Sequence, residues 1–122
     1  MGSLERWLEA YGRAWEQADA DAAVELFAEE ATYQEKPFDE PMRGRSAIRA
    51  YWSEIPAYQR DISFAHRVLS EDPTIVHCWA AYRAVKTGLD TKLDGMFVLE
   101  FNDQSLCTSL REWWHADPEP SF

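Results

Sequence analysis

Apolar residues recur at helical spacing through the first part of the chain and at strand spacing through the rest. Leu4, Trp7, Leu8, Tyr11, Trp15 and Ala18 return every three or four positions, which predicts an amphipathic helix with a broad aromatic face. Ser3 is its expected cap, and Glu5 suits the positive end of the helix dipole. Asp19 then caps a short second helix from Ala20 to about Ala28, burying Ala23, Leu26 and Phe27. Ala31–Gln34 reads as a short strand that stops before Pro37, and Pro41 keeps the next residues irregular. Ser46 caps a third helix with Ile48, Tyr51, Trp52 and Ile55 on one face, and Pro56 ends it.

From Arg60 the pattern alternates. Ile62–Leu69 and Ile75–Val85 flank a turn at Glu71-Asp72-Pro73-Thr74, and Thr87-Gly88-Leu89-Asp90 forms another. The last hairpin is Leu93–His115, with turn formers at Asn102-Asp103-Gln104-Ser105. A turn centred there pairs Phe101 with Leu106, Phe97 with Leu110, Gly95 with Glu112 and Leu93 with Trp114. One face then carries Leu93, Phe97, Leu99, Phe101, Leu110 and Trp114, with Glu112 as its lone acid. A one-residue slip would instead bring Arg111 and Trp113 inside. Helices first and long strands second predict an α+β fold. Three helices pack on a strongly curved antiparallel sheet, making a cone-shaped α+β barrel with a cavity. Residues 1–116 form one domain, and 117–122 a flexible tail.

Composition narrows the partners. A chain of 122 residues with 46% hydrophobic residues and six tryptophans suits one folded domain. The net charge of −10 argues against nucleic acid or an anionic membrane surface. No run is apolar enough to span a membrane, and the first ten residues do not read as a signal peptide. Cys78 and Cys107 fall on strands separated by a third, too far apart for a disulfide. Free thiols fit a cytoplasmic protein. Phosphate-binding glycine loops, nucleophilic triads and zinc-type cysteine pairs are absent from the sequence.

The words ATYQEKPFDEPMRGRSAIRAYW and LDGMFVLEFNDQSLCTSLREWWH, in this order of elements, resemble the SnoaL-like branch of the nuclear transport factor 2-like superfamily. The resemblance covers about residues 4–115. It implies a conical pocket, an acid/base residue and no cofactor, as in ketosteroid isomerases, polyketide cyclases and scytalone dehydratase. It also allows non-enzymatic binding or dimerisation domains. The general base of the ketosteroid isomerases falls on Glu35 when counted from Ala31-Thr32, and on Lys36 when counted back from Pro37. Their oxyanion-hole acid falls on Phe97, which cannot donate a hydrogen bond. Their tyrosine donor falls on Tyr11 or Trp15.

Glu112 leads the candidates for chemistry, because a carboxyl in an apolar pocket has a raised pKa and can work as acid or base. The bland alternative is a buried ion pair with Arg83 or Arg111. Glu35 follows from the resemblance, and His66 could reach the cavity if it shares a face with His77 and Trp79. Tyr11, Trp15, Tyr33, Trp52, Trp79, Arg83, Phe97, Leu110 and Trp114 are the expected substrate-binding residues; no metal set is expected. The reading is a binder of a small apolar or aromatic ligand, and possible chemistry is cofactor-independent isomerisation, cyclisation or dehydration. The other reading is a non-catalytic binding or dimerisation domain. Trp113, Met96 and Val98, on the convex face of the sheet between Val76 and His115, read as a homodimer surface.

Overall fold

The structure, a computed structural model, describes residues 2–118. The expected tail lies for the most part outside the described residues. Helix α1 spans Ser3–Glu16, and α2 is Ala20–Val24. Strand β1 is Phe27–Gln34 and β2 is Met42–Arg43. Helix α3 is Gly44–Ser53, and a single turn, α4, covers Ile55–Tyr58. The long strands are β3 (Gln59–Glu71), β4 (Thr74–Ala84), β5 (Asp90–Phe101) and β6 (Cys107–Asp117). They form one six-stranded sheet in the order β2-β1-β6-β5-β4-β3. The fold is α+β, with the helices packed on a curved sheet.

Local details follow the expectation in part. Asp19 caps α2, its carboxylate accepting from the Ala22 N–H at 3.0 Å. That helix ends at Val24, and Phe27 already belongs to a strand. Ser3 and Ser46 lie inside their helices, whose caps are Gly2 and Arg43. Pro56 sits at the start of α4, where its missing N–H has no helical partner to lose. Strand β1 runs parallel to β6, so the sheet is mixed. Its edge is extended by β2, which pairs Thr32 with Arg43 and Tyr33 with Met42.

Curvature has a visible source in β3. Its pairing with β4 shifts between Arg60 and Ser63 and again between Val68 and Ser70, and bulges of this kind bend and twist a strand. Helix α1 lies across the resulting concavity and buries Trp7, Leu8, Tyr11, Ala14 and Trp15 against it. The core is completed by Phe27, Tyr33, Ile48, Trp52, Val76, Phe97, Leu99 and Leu110. Tyr11 is its hub: its ring meets Trp52 edge-on at 5.3 Å, Phe97 at 5.3 Å and Trp15 at 6.4 Å.

The β5–β6 register departs from the expected pairing by two residues. Phe101 pairs with Cys107, which makes the loop one residue longer than a turn over 102–105. Asn102 holds that loop, its side-chain oxygen accepting from the N–H groups of Gln104 and Leu106. A second residue is absorbed by a bulge, after which Leu99 faces Leu110 and Phe97 faces Glu112. Two single slips add to an even number, so the faces are restored beyond the bulge. Glu112 is buried and points inward, while Arg111 and Trp113 point outward. Only the tip is reversed: Cys107 is fully buried. Both cysteines are free thiols, with β5 between their strands.

Candidate active site

The open end of the cone leads into a cavity of about 390 Å³. Helix α1 brings Tyr11 and Trp15 to its wall, β1 brings Tyr33, and α3 brings Tyr51 and Trp52. The segment after β1 supplies Glu35 and Lys36, and Ile55 and Gln59 come from α4 and the start of β3. Strand β6 contributes Glu112, Trp114 and Ala116; Tyr82 and Leu93 close the side.

Glu112 lies on the buried face of β6 at 4% exposure. The Trp114 indole Nε1–H donates to its Oε2 at 2.8 Å. These residues are two apart on one strand, so they share a face and the edge of the indole reaches the carboxyl. Burial pushes the carboxyl up to about 8, and the charge of Glu35 adds to the rise. Hydrogen bonding from Trp114 and Tyr33 opposes it without cancelling it. The acid is therefore largely protonated at neutral pH, which places a hydrogen-bond donor in the cavity wall.

Tyrosines surround it. The hydroxyls of Tyr11 and Tyr33 lie 2.8 Å apart and share a hydrogen bond. Burial raises both phenols, with the Glu112 charge adding to each, so both stay protonated. Tyr51 is raised for the same first reason, and its hydroxyl donates to Glu35 Oε2. Trp15 Nε1 donates to Gln59 Oε1 at 2.8 Å. Trp52 is 1% exposed, and its Nε1 is the one buried side-chain nitrogen or oxygen without a partner among the described residues.

Seven of the expected site residues meet at this cavity: Glu112, Glu35, Tyr11, Trp15, Tyr33, Trp52 and Trp114. Five stand elsewhere. Phe97 and Leu110 are fully buried in the core beneath it. Arg83 binds Asp90 through Nε at 3.2 Å and through its terminal nitrogen at 3.0 Å. Arg111 lies 5.6 Å over the Trp113 ring on the outer face. Neither arginine is therefore the ion-pair partner of Glu112. His66 and His77 do not share a face. His66 pairs with Cys78 and His77 with Arg67, one residue off the register of a turn centred on Asp72-Pro73, which would set His66 opposite Trp79 and His77 opposite Val68. His66 Nε2 reaches Glu5 on α1 at 2.9 Å, away from the cavity. His77 and Trp79 lie on the outer face, where His77 Nε2 meets Asp94 at 2.7 Å. Gly95 faces Trp114 rather than Glu112, and that indole already fills the space a side chain would take.

Tyr51, Tyr82, Gln59 and Leu93 line the cavity without having been expected there. Tyr51 had a signal, since it lies on the Ile48–Ile55 face of its helix. Tyr82 continues the alternation of Val76, Cys78 and Ala80 along β4. Among the described residues no group of three His, Cys, Asp or Glu gathers as around a metal ion. No helix among them is long and apolar enough to cross a membrane.

Residues 5–108 match the model of the SnoaL-like domain. The chain belongs to that family. No curated protein matches its sequence. Among solved structures, a candidate isomerase from Bacillus subtilis is similar, with a TM-score of 0.82 and 23% identity over 94% of this chain and 90% of that one. The Δ5-3-ketosteroid isomerase of a Mycobacterium species gives 0.77 and 17%, over 94% and 95%. A Catenulispora acidiphila protein of ketosteroid isomerase-like fold, solved with trimethylamine, gives 0.77 and 16%, over 88% and 83%. At these identities the likeness establishes a shared fold. Within that fold this SnoaL-like chain sets Glu112 and Glu35 against one aromatic cavity.

Proposed function

We propose that this SnoaL-like protein binds a small, largely apolar metabolite in the cone and acts on it by cofactor-independent proton transfer. The observation that carries the reading is Glu112: a buried carboxyl, bonded by Trp114, with both candidate arginines engaged elsewhere. A structural acid would be expected to hold a cation. This one is kept neutral by its surroundings and opens onto a cavity.

The chemistry follows from the two carboxyls. Glu112 donates its proton to a carbonyl or hydroxyl oxygen of the ligand. Glu35, oriented by the Tyr51 hydroxyl, takes a proton from a neighbouring carbon. One proton enters and one leaves, so the net change is an isomerisation when the ligand keeps its oxygen. It is a dehydration when the oxygen departs as water. Tyr33 and Tyr11 stand behind Glu112 as protonated donors that steady it after it gives up its proton. The isomerases among the structural relatives, and the proteins named as cyclases and dehydratases that share the fold, are consistent with this class. Trimethylamine in the Catenulispora structure is consistent with a small ligand.

Thermal-shift screening of metabolites tests the binding, since a ligand of the folded state raises the melting temperature. With a ligand found, Glu112→Gln retains its affinity and loses turnover. A variant that still turns the ligand over contradicts the role given to Glu112.

We also propose a homodimer through the outer face of the sheet. Trp79 and Trp113 are 38% and 40% exposed there. Met96 lies between His77 and Trp113 in register, with Val98 beside it. This apolar row on a single protomer is of the kind that a second copy covers.

A further inference from the structure

An indole N–H can donate a hydrogen bond and cannot accept one. Trp15 Nε1 donates to Gln59 Oε1 at 2.8 Å. The Gln59 carboxamide is therefore held with its oxygen toward Trp15 and its NH2 group turned away from it. Gln59 lines the cavity, and so does Tyr82. Among the described residues neither the Gln59 NH2 nor the Tyr82 hydroxyl has a hydrogen-bond partner, yet neither is sealed in the protein. The one buried side-chain nitrogen or oxygen left without a partner there is Trp52 Nε1. Both residues are half-buried, and burial raises the Tyr82 phenol, which keeps its proton. Two donors thus border the cavity with nothing to receive their hydrogens.

Sheet register sets this pair apart from Glu112. On β5, Phe97 faces Glu112, Leu93 faces Ala116 and Thr91 faces Tyr82. Positions 97 and 91 are six residues apart, about 20 Å along the strand. Gln59 lies opposite Ala84, two residues from Tyr82 on the same face of β4, so the two side chains are diagonal neighbours. Between the two ends the wall is formed by Trp114, Leu93 and Ala116. The cavity therefore has a polar group at each end and an apolar stretch between them.

We propose that Gln59 and Tyr82 form a second polar pole of the cavity, which binds a carbonyl oxygen at the end of the ligand remote from Glu112. The proposal rests on the cavity being the ligand site and deepens that reading. It names the ligand class as an apolar molecule with two oxygen functions, one toward each end. A carbonyl oxygen has two lone pairs and can take both hydrogens. A hydrocarbon end would strip water from both donors and give no bond in return. Glu112 keeps its proton while the ligand binds, as proton transfer to the other oxygen requires.

The probes are 2-nonanone, 2-undecanone and 2-tridecanone, each beside the diketone of equal length: 2,8-nonanedione, 2,10-undecanedione and 2,12-tridecanedione. A second carbonyl loses water on entering an apolar site, so a diketone binds more weakly than its monoketone unless a donor meets that oxygen. Titrations followed by the indole N–H resonances of Trp15 and Trp114 should find at least one diketone bound as tightly as its monoketone or tighter. Gln59→Glu keeps an oxygen for Trp15 and removes the NH2 group. That variant should weaken the diketone relative to the monoketone by about tenfold while leaving the Trp15 resonance hydrogen-bonded. If Gln59 served only to hold Trp15, the ratio would not change, and the proposal is overturned. Tyr82→Phe supplies a second variant and should lower the ratio by about fivefold. If every diketone binds the native protein more weakly than its monoketone, the second pole is overturned while the cavity as ligand site stands. If no ketone binds, the second pole is overturned as well. If, in addition, no metabolite in the thermal-shift screen stabilises the protein, the reading of the cavity as a ligand site fails with it.

Discussion

At the scale of single residues the account turns on Glu112 and what touches it. Its folded-state pKa is raised from 4.5 to about 8. Below pH 4.5 the folded and unfolded chains both carry the proton, and the full stability is present. As pH rises toward 8 the unfolded chain ionises first, and stability is lost. The loss amounts to about 3 kcal/mol by pH 7. Glu112→Gln cannot titrate, so its stability relative to the native protein should climb from pH 5 to pH 8 in urea unfolding. A buried ion pair would give the opposite sign, a variant weaker at neutral pH by about 3–5 kcal/mol. Trp114→Phe removes the donor that favours the carboxylate, so the Glu112 titration should move upward. Much of this residue was legible in the sequence, because parity along an apolar strand face puts it inside whichever even register holds. Its partners were not. Trp114 lies on the same strand, but Tyr33, Glu35 and Tyr51 come from 61 to 79 residues earlier in the chain, and no local pattern ties them to β6.

At the scale of elements, helices and strands followed their periodicity, while their pairing depended on turns that periodicity does not encode. A longer loop and one bulge moved the β5–β6 register by two residues. A single-residue difference at the β3–β4 turn separated His66 from His77. An odd shift exchanges faces and an even one does not, which is why the glutamate stayed inside and the histidines parted. The parallel β1–β6 pair joins segments far apart in sequence and left no local signal. Two glycines test the packing. A Cβ on Gly95 would sit 2.1 Å from the Trp113 carbonyl oxygen and 2.5 Å from Trp114 Cε3. A Cβ on Gly12 would meet the Phe64 ring at 2.7 Å, an atom that can move. Gly95→Ala should therefore destabilise by about 3 kcal/mol in urea titration. Gly12→Ala should lose much less, because alanine's helix propensity returns about 1 kcal/mol.

At the scale of the whole molecule, the helices and the bent sheet enclose a cavity on one face and leave an aromatic row on the other. The two faces have separate tests. Sedimentation should find a dimer at micromolar concentration, and Trp113→Lys should shift it to monomer by placing a charge in the apolar row. A native protein that stays monomeric at high micromolar concentration would contradict the dimer while leaving the cavity untouched. The central claim is that the cone encloses a carboxylic acid kept neutral at physiological pH. A carbon-13 NMR titration of the glutamate carboxyls, with Glu112 assigned by its loss in Glu112→Gln, reads that directly. The account predicts a midpoint near pH 8 for Glu112; a midpoint near 4.5 would contradict it.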